Sequence, residues 1–262
     1  MIYDVLFAPN AKLEYKPQMV DTYSKTADGL IWRFKLRDGL QFSDGSPVQA
    51  KDAVASLKRW GDRVPVGKTL LQFAKDVVVT GPLTFEIRLD KPFGPVLEVL
   101  GTPENPLFIH REKEALTPSD KQITEVIGSG PFVMVKDEWV PGSKVVYKKN
   151  PLYKPRSDAT DGFAGAKLAK VDRVEWVVIP DANTATQALI KGEVDMRHTR
   201  CGPSARASES PMAVVVTRRS VSPNSCRMSQ TGIWAPMLPA TWKTGRIAIP
   251  VIPNWMSERA WL

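Results

Sequence analysis

Apolar and polar residues alternate within residues 30–37, most regularly from Trp32 onward. Trp32, Phe34 and Leu36 occupy every second position, and basic residues stand between them. Because successive side chains of a β-strand point to opposite faces, this period of two predicts a half-buried strand. The dipeptide Asp38-Gly39, which follows at once, favours a turn at the end of that strand.

A second alternation runs from residue 85 to residue 90, and an apolar stretch at 77–80 precedes it. Gly81-Pro82 lies between the two, and this dipeptide is typical of turns. The arrangement predicts a β-hairpin. The Val-rich segments 144–148 and 171–179 are predicted as further strands.

A helical pattern covers residues 47–60. Ser46 offers a cap, and Pro47 suits the first helical position, where the N–H that proline lacks has no partner to lose. Apolar residues then recur at helical spacing, which predicts an amphipathic helix. These residues are Ala53, Val54, Leu57 and Trp60.

A later helix is predicted after Asp181 or Asn183, either of which can cap it, and Gly192 is expected to end it. Residues 193–196 begin another strand. Strands and helices therefore alternate without regular βαβ repetition, which predicts an α/β protein with a partly antiparallel sheet. Trp139 is expected in the core of this protein, because tryptophan is usually well buried.

The positive charge of the chain is concentrated at its C-terminal end. The formal net charge is +8, and residues 197–262 carry +7 of it, with nine Lys and Arg against two Asp and Glu. Residues 1–196 are nearly neutral, with 27 basic against 26 acidic residues. The C-terminal segment has eight arginines but one lysine, and it lacks Phe, Tyr and Asp. This shift in composition predicts a boundary near Met196.

Three interpretations of residues 197–262 stand side by side: an out-of-frame translation, a natural disordered basic tail, and a small basic domain. The enrichment in Arg, Ser, Pro, Cys and Trp is typical of a GC-rich gene read out of frame. The segment lacks the interleaved aromatic residues and the periodic basic spacing of a nucleic-acid module. We therefore expect no recognisable fold and no nucleic-acid partner for it.

Motifs for catalysis are weak. Gly61 and Gly67-Lys68-Thr69 resemble a phosphate-binding loop, but five residues rather than four separate the glycines, and Pro65 removes one N–H group. Gly128-Ser129-Gly130 lacks the third glycine of a dinucleotide fingerprint and predicts a turn. His110 has no identifiable nucleophile as a partner. The residues therefore predict no enzyme, no cofactor and no metal site.

Three blocks of the chain share the order and spacing of one known family. They are Trp32-x-Phe34-x-Leu36-Arg37-x-Gly39-x-x-Phe42-x-Asp44-Gly45-x-Pro47, then Gly128-Ser129-Gly130-Pro131-Phe132 with Asn150-Pro151-x-Tyr153, and finally Ala185-x-x-Ala188-Leu189-x-x-Gly192-Glu193-Val194-Asp195. Together they resemble the family 5 extracellular solute-binding proteins, which are the oligopeptide, dipeptide and nickel binding components of ABC importers. The resemblance covers about residues 1–196.

The resemblance implies a type II periplasmic-binding-protein-like fold of the peptide-binding cluster, with a mixed sheet and the first lobe only. Residues 1–12 would be the truncated start of lobe one, 13–124 a family-specific extra subdomain, and 125–196 the remainder up to the crossover. The basic tail 197–262 follows. Compared with the family, the chain looks like a copy that is incomplete at both ends and lacks the second lobe, which holds most determinants of ligand specificity.

The implied function is that of the substrate-binding component of an ABC-type peptide importer. Its partners would be a peptide or another small polar solute and the membrane permease, and the protein would be a monomer. Because each lobe of the family supplies half of the ligand contacts, this copy is expected to bind its ligand weakly or not at all. The family is periplasmic or attached to the cell envelope. Residues 1–4 show no signal peptide, which leaves retention in the cytoplasm as the alternative.

The resemblance also implies three ligand-binding residues. Asn105 and Leu107 lie in a segment that matches the cleft-facing stretch of the family's first lobe, and Ser129 lies in the glycine block near the same wall. Loop packing is the alternative role for each of them. Nickel-type members use a basic side chain near the position of Leu107, so a metal chelate is not the expected ligand.

Two other functions stay open from the sequence. A nucleic-acid-binding protein that uses the basic tail would lose binding steeply with salt and on removal of residues 197–262. A hydrolase with an unrecognised site would lose turnover when His110 is changed.

Overall fold

The computed structural model describes residues 1–198 and 212–217, which form two compact units. The described residues of the first unit are 1–135 and 147–169. Those of the second unit are 136–146, 170–198 and 212–217.

An antiparallel sheet forms the centre of the first unit. Its strands are β3 (Val20–Lys25), β4 (Ile31–Leu36), β5 (Ala74–Val79) and β6 (Thr84–Leu89), in the spatial order β3-β4-β6-β5. Strand β4 confirms the predicted alternation, because Trp32, Phe34 and Leu36 are all buried. The predicted hairpin is confirmed as β5–β6, although β5 begins at Ala74 rather than Val77.

Helices and one buried face of this sheet enclose the core of the first unit. Helix α1 (Ala50–Arg63) and helix α2 (Pro65–Phe73) pack against each other and against β5. The rings of Phe34 and Phe85 stack across β4 and β6 with centroids 5.0 Å apart. Each large side chain buried in this way contributes roughly 1.5–3 kcal/mol of transfer free energy. Two short helices, α3 (Val96–Leu100) and α4 (Glu112–Ala115), complete the unit's helical part among the described residues.

Helix α1 begins three residues later than the sequence predicts. Ser46 does not cap it, because its N–H and hydroxyl both donate to the Asp44 carboxylate, at 3.0 and 2.6 Å, and close a turn instead. The N-cap residue is Gln49, whose N–H donates to Asp52 at 2.7 Å. The Ser46 side chain therefore stabilises the local turn instead of capping the helix, a competition that is common for serine.

Of the phosphate-loop-like residues, Gly61 lies in helix α1, and Gly67-Lys68-Thr69 lies in helix α2, which the sequence analysis did not predict. A methyl group at Gly67 would lie 2.5 Å from the Trp60 ring, so glycine at this position allows helices α1 and α2 to approach each other closely. Pro65 occupies the first turn of α2, where proline is well tolerated. Packing, rather than phosphate binding, accounts for these residues.

A short hairpin of β1 (Phe7–Pro9) and β2 (Tyr15–Pro17) carries a strained turn. Leu13 has a φ of +63°, a left-handed conformation that costs an L-residue roughly 1–2 kcal/mol. Asn10 holds the turn, because its side-chain oxygen accepts the N–H groups of Lys12 and Glu14 at 3.0 and 2.8 Å. The Leu13 side chain is 77% exposed and therefore gains little from burial.

Replacing Leu13 with asparagine is expected to stabilise the protein by about 0.5–1 kcal/mol, because asparagine tolerates the left-handed conformation. The denaturant midpoint, followed at constant m-value, measures the change. Leu13→Val is the matched control: a β-branched side chain at the same exposed site should lower the midpoint. An asparagine variant no more stable than the original chain would show that the turn carries no strain.

The second unit also contains a sheet and a helix. Its strands are β8 (Lys144–Lys149), β9 (Arg173–Val178), β10 (Met196–His198) and β11 (Met212–Thr217), in the order β10-β11-β9-β8. Residues 147–149 of β8 belong to the first unit, where they pair with β7 (Phe132–Met134). Strands β8 and β9 confirm the predicted strands.

Helix α5 (Ala182–Lys191) confirms the last predicted helix. Asp181 is its cap, since its carboxylate accepts the Thr184 N–H at 2.7 Å, and Gly192 ends the helix at a φ of +75°. Trp139 lies at 49% exposure near the tip of a turn, so its predicted core position is wrong.

Strand β11 falls within the segment that the sequence analysis predicted to lack a fold. It pairs antiparallel with β9 over six residues, from Met212 opposite Val178 to Thr217 opposite Arg173. It also pairs with β10, where Met196 lies opposite Val214. The run Met212-Ala-Val-Val-Val-Thr is rich in β-branched residues, and that signal was available in the sequence. Residues 199–211 and 218–262, to which the rest of the tail prediction applies, lie outside the described residues.

Candidate functional site

The two segments predicted to face a ligand both contact residues 2–5, which we call the opening residues of the chain. Val5 forms an antiparallel bridge with Phe108, and the Ile109 N–H donates to the Asp4 carbonyl at 3.2 Å. From the glycine block, the Gly130 N–H donates to the Ile2 carbonyl at 2.6 Å. The opening residues therefore connect the segments 105–110 and 128–130 within the first unit.

The three predicted ligand-binding residues differ in exposure. Asn105 is exposed, and its backbone carbonyl accepts the indole N–H of Trp60 at 2.8 Å. Leu107 is completely buried in the hydrophobic core. Ser129 is also buried, with its hydroxyl 4.0 Å from the sulfur of Met19. Burial supports the packing role for Leu107 and Ser129, and ligand binding by the three residues stays a prediction.

Half-buried rings meet beside these segments. The Tyr3 ring lies 4.4 Å from the His110 ring and 5.6 Å from the Phe108 ring, measured between centroids. We call Tyr3, Phe108 and His110 the aromatic wall. A methyl group at Gly128 would lie 2.8 Å from the Tyr3 ring and 2.3 Å from the Ile2 carbonyl oxygen. Glycine at position 128 thus lets the turn approach the wall.

The polar groups of the aromatic wall are neutral at pH 7. Burial lowers the pKa of His110 to about 4; the nearby Arg59 adds to the shift and Glu114 opposes it. Burial raises the pKa of Tyr3 to about 12, with a further contribution from Glu114. The wall therefore carries no charge of its own, and its aromatic faces suit contact with apolar side chains.

A compact ion cluster neutralises the charges next to the wall. Arg111 donates to Glu114 through Nε at 2.8 Å and also pairs with Asp44 through Nη1 at 2.5 Å. These carboxylates raise the pKa of the Arg111 guanidinium. The cluster joins the turn at 44–46 to helix α4, and its cation is already paired with two protein carboxylates.

His110 is not arranged as a catalytic base. Its Nδ1 atom is buried without a hydrogen-bond partner among the described residues. The Ser56 hydroxyl bonds the His110 backbone, accepting its N–H at 2.9 Å and donating to its carbonyl at 3.2 Å. A nucleophile activated by this imidazole would need a bond to the ring nitrogen instead.

Within residues 1–198 and 212–217, no group of three or more His, Cys, Asp or Glu side chains is placed to hold a metal ion. No helix of that part of the chain combines the length and apolarity needed to cross a membrane.

Comparison with known proteins identifies relatives along most of the chain. A family model described as "Bacterial extracellular solute-binding proteins, family 5 Middle" matches residues 14–233. A "Probable peptide ABC transporter periplasmic-binding protein" of Sinorhizobium fredii is 41% identical over 196 residues, which cover 74% of this chain and 36% of that protein. The glutathione-binding protein GsiB of Escherichia coli (strain K12) is 27% identical over 195 residues, covering 73% and 35%.

Solved structures show the same fold. NikA from Brucella suis, in complex with Fe(III)-EDTA, superposes with a TM-score of 0.62 at 25% identity, covering 76% of this chain and 38% of that one. The oligopeptide-binding protein AppA from Bacillus subtilis, in complex with a nonapeptide, superposes with a TM-score of 0.57 at 23% identity, covering 74% and 37%. The chain thus has the fold of type II periplasmic binding proteins, as predicted. It spans little more than a third of the length of these relatives.

Proposed function

The chain belongs to the bacterial extracellular solute-binding proteins of family 5, and on that premise we propose that it is first-lobe sequence of the substrate-binding component of an ABC-type peptide importer. The observation that carries the proposal is the 41% identity to the peptide transporter's binding protein of Sinorhizobium fredii. The ligand is a peptide or another small polar solute, and the second partner is the importer's membrane permease. The protein acts as a monomer in the periplasm or cell envelope.

Binding rather than catalysis is the proposed activity. The aromatic wall of Tyr3, Phe108 and His110 offers neutral contacts, and the neighbouring Arg111 is paired with two carboxylates. Such a surface can accept an extended peptide through apolar contact and hydrogen bonds to its amides. Ser56 makes its hydrogen bonds to backbone atoms, which supports a structural role for it.

We propose that binding by this chain is weak. A dissociation constant of 1 μM corresponds to about −8 kcal/mol. In a protein that closes two lobes around its ligand, each lobe contributes part of that free energy, and closure traps the ligand. Tested on its own, a polypeptide of residues 1–262, whose match covers 36% of its S. fredii relative, would supply part of those contacts. Its affinity should therefore fall by several orders of magnitude, to the millimolar range.

The test is an NMR titration of the isotope-labelled full chain with a mixture of short peptides. We expect fast-exchange shifts at Tyr3, Phe108 and Asn105, with a dissociation constant on the order of 1 mM. Asn105→Ala should weaken the effect, whereas Glu104→Ala, at the exposed neighbouring position, should not. Sub-micromolar binding would contradict the proposed impairment. Shifts spread evenly over the surface, and equal in both variants, would contradict a binding role for this site.

A further inference from the structure

We propose that Asp4 and Lys167 form a positioning pair that sets the Tyr3 ring in the aromatic wall. The inference deepens the proposed function and rests on it, since the wall is the proposed ligand-facing surface. Both residues belong to the first unit, although 162 residues separate them in the sequence. Neither contacts the proposed ligand surface directly in this scheme; each acts through Tyr3.

The Asp4 carboxylate is almost completely enclosed, with 1% of the residue exposed. Its Oδ1 atom accepts a hydrogen bond from the Lys167 ammonium at 2.6 Å and another from the Val5 N–H at 3.0 Å. Its Oδ2 atom accepts from the Tyr153 hydroxyl at 3.4 Å. The carboxylate therefore has one charged and two neutral donors, and they approach both of its oxygens.

The partners of Asp4 are themselves fixed. Gln18, which is fully buried, holds the segment just before Lys167 through two hydrogen bonds to the backbone of Gly165, at 2.8 and 3.1 Å. Tyr153 follows Asn150, whose buried side chain donates to the Gly130 carbonyl at 2.8 Å. The backbone near Lys167 and Tyr153 is therefore held in place, and this fixes the direction from which their polar atoms reach Asp4.

The position of Tyr3 depends on this arrangement. Asp4 is its neighbour in the chain, and the Asp4 carbonyl accepts the Ile109 N–H at 3.2 Å, between the two wall residues Phe108 and His110. With the Asp4 side chain held on one side and its backbone bonded to Ile109 on the other, the preceding residue has little freedom. The Tyr3 ring is thereby placed against His110 and Phe108.

A positioning role fits the energetics of buried ion pairs. Removing two charges from water is costly, and the attraction between them often does no more than offset this cost. In some proteins such pairs fix one arrangement of the chain rather than add stability, and neutralising one partner leaves the other charge unpaired. The Lys167 side chain is 30% exposed, so its ammonium keeps some contact with water when the pair is broken.

The experiment uses the full chain and three variants: Asp4→Asn, Lys167→Gln and Lys167→Arg. The readout is the NMR contact between the Tyr3 and His110 rings, together with the ring-current shifts of both. We expect Lys167→Gln and Asp4→Asn to lose the contact, and Lys167→Arg, which keeps the charge, to retain it. Lys16→Gln is the matched control, because it breaks an exposed pair with Glu14 in the same unit and should change neither ring. If Asp4→Asn does not fold, Lys167→Gln alone tests the positioning pair, because Lys167 is the more exposed partner and its replacement should be better tolerated.

A ring contact that persists in Lys167→Gln overturns the positioning pair, whatever the peptide titration shows. The same samples are titrated with the peptide mixture, and Lys167→Gln should weaken binding by about tenfold, while Lys167→Arg restores it. If the unchanged chain shows no peptide binding but Lys167→Gln loses the ring contact, the proposed function fails and the positioning pair is supported. The two failures are therefore distinguishable.

Discussion

Replacing Val214 with proline is expected to abolish the hydrogen-exchange protection of strand β9 and to destabilise the second unit by roughly 2–4 kcal/mol. Val214 lies in β11 between Trp176 of β9 and Met196 of β10. Proline has no N–H to donate, and its ring disturbs the extended backbone, so a strand paired on both sides loses a ladder hydrogen bond. Exchange mass spectrometry of peptides covering 173–178 measures the loss.

Thr217→Pro is the control for this change. Thr217 ends β11 and pairs with Arg173 but with no residue of β10 in the assigned register, so proline there should reduce protection only slightly. Peptides from the first unit, such as those covering β4, should exchange equally in both variants. Unchanged exchange at 173–178 in Val214→Pro would show that β11 is not part of the folded unit in solution. The expected result would place the boundary of the folded sequence beyond Met196.

His110 is expected to make the first unit lose stability as the pH falls from about 6.5 to about 4. Its ordinary pKa is 6.5, and burial lowers the pKa in the folded protein to about 4, with Arg59 of α1 lowering it further and Glu114 of α4 raising it. The unfolded chain therefore binds a proton in this range that the folded chain does not, and protonation favours unfolding. The difference between the two pKa values corresponds to about 3 kcal/mol at pH 4.

The free energy of unfolding, measured by denaturant titration at pH 7 and at pH 4.5, should fall less in His110→Gln than in the unchanged chain. Carboxylates with lowered pKa values, such as Glu86, also cost stability in acid, but they act equally in both proteins and cancel in the difference. The chain has one other histidine, His198, and His198→Gln controls for the loss of a histidine as such. Equal acid sensitivity with and without His110 would mean that the imidazole is solvated in the folded state.

Elements with strict local periodicity were predictable from the sequence, and elements shaped by distant contacts were not. Strand β4 and helix α5 follow from alternation and capping, because both signals act within a few residues. Helix α2 was missed because Pro65 and Gly67 suggest a loop, and the contact that makes Gly67 useful comes from Trp60 on another helix. Strand β11 was missed because the prediction for the tail relied on its overall composition and not on the β-branched run Met212–Thr217.

The candidate site was predictable only in part. The resemblance indicated Asn105, Leu107 and Ser129, and the segments that contain them do meet at the opening residues of the chain. Tyr3 was missed, because nothing in its immediate sequence marks a ring whose partner, Phe108, lies 105 positions away. The buried pair of Asp4 with Lys167 is equally invisible to a local pattern. Long-range contacts of this kind can be identified only from the three-dimensional structure.

The first unit is discontinuous in sequence, and this has a consequence for how the protein is made. Residues 136–146 belong to the second unit, so the described part of the first unit is complete only when residues 147–169 have been synthesised. Contacts such as Gln18 with Gly165 and Asp4 with Lys167 close loops of more than 140 residues, which predicts slow folding. At about 5–20 residues per second, Asp4 and Gln18 wait on the order of ten seconds for Lys167 and Gly165 to leave the ribosome. During that interval the opening segment lacks these long-range contacts, which favours its aggregation.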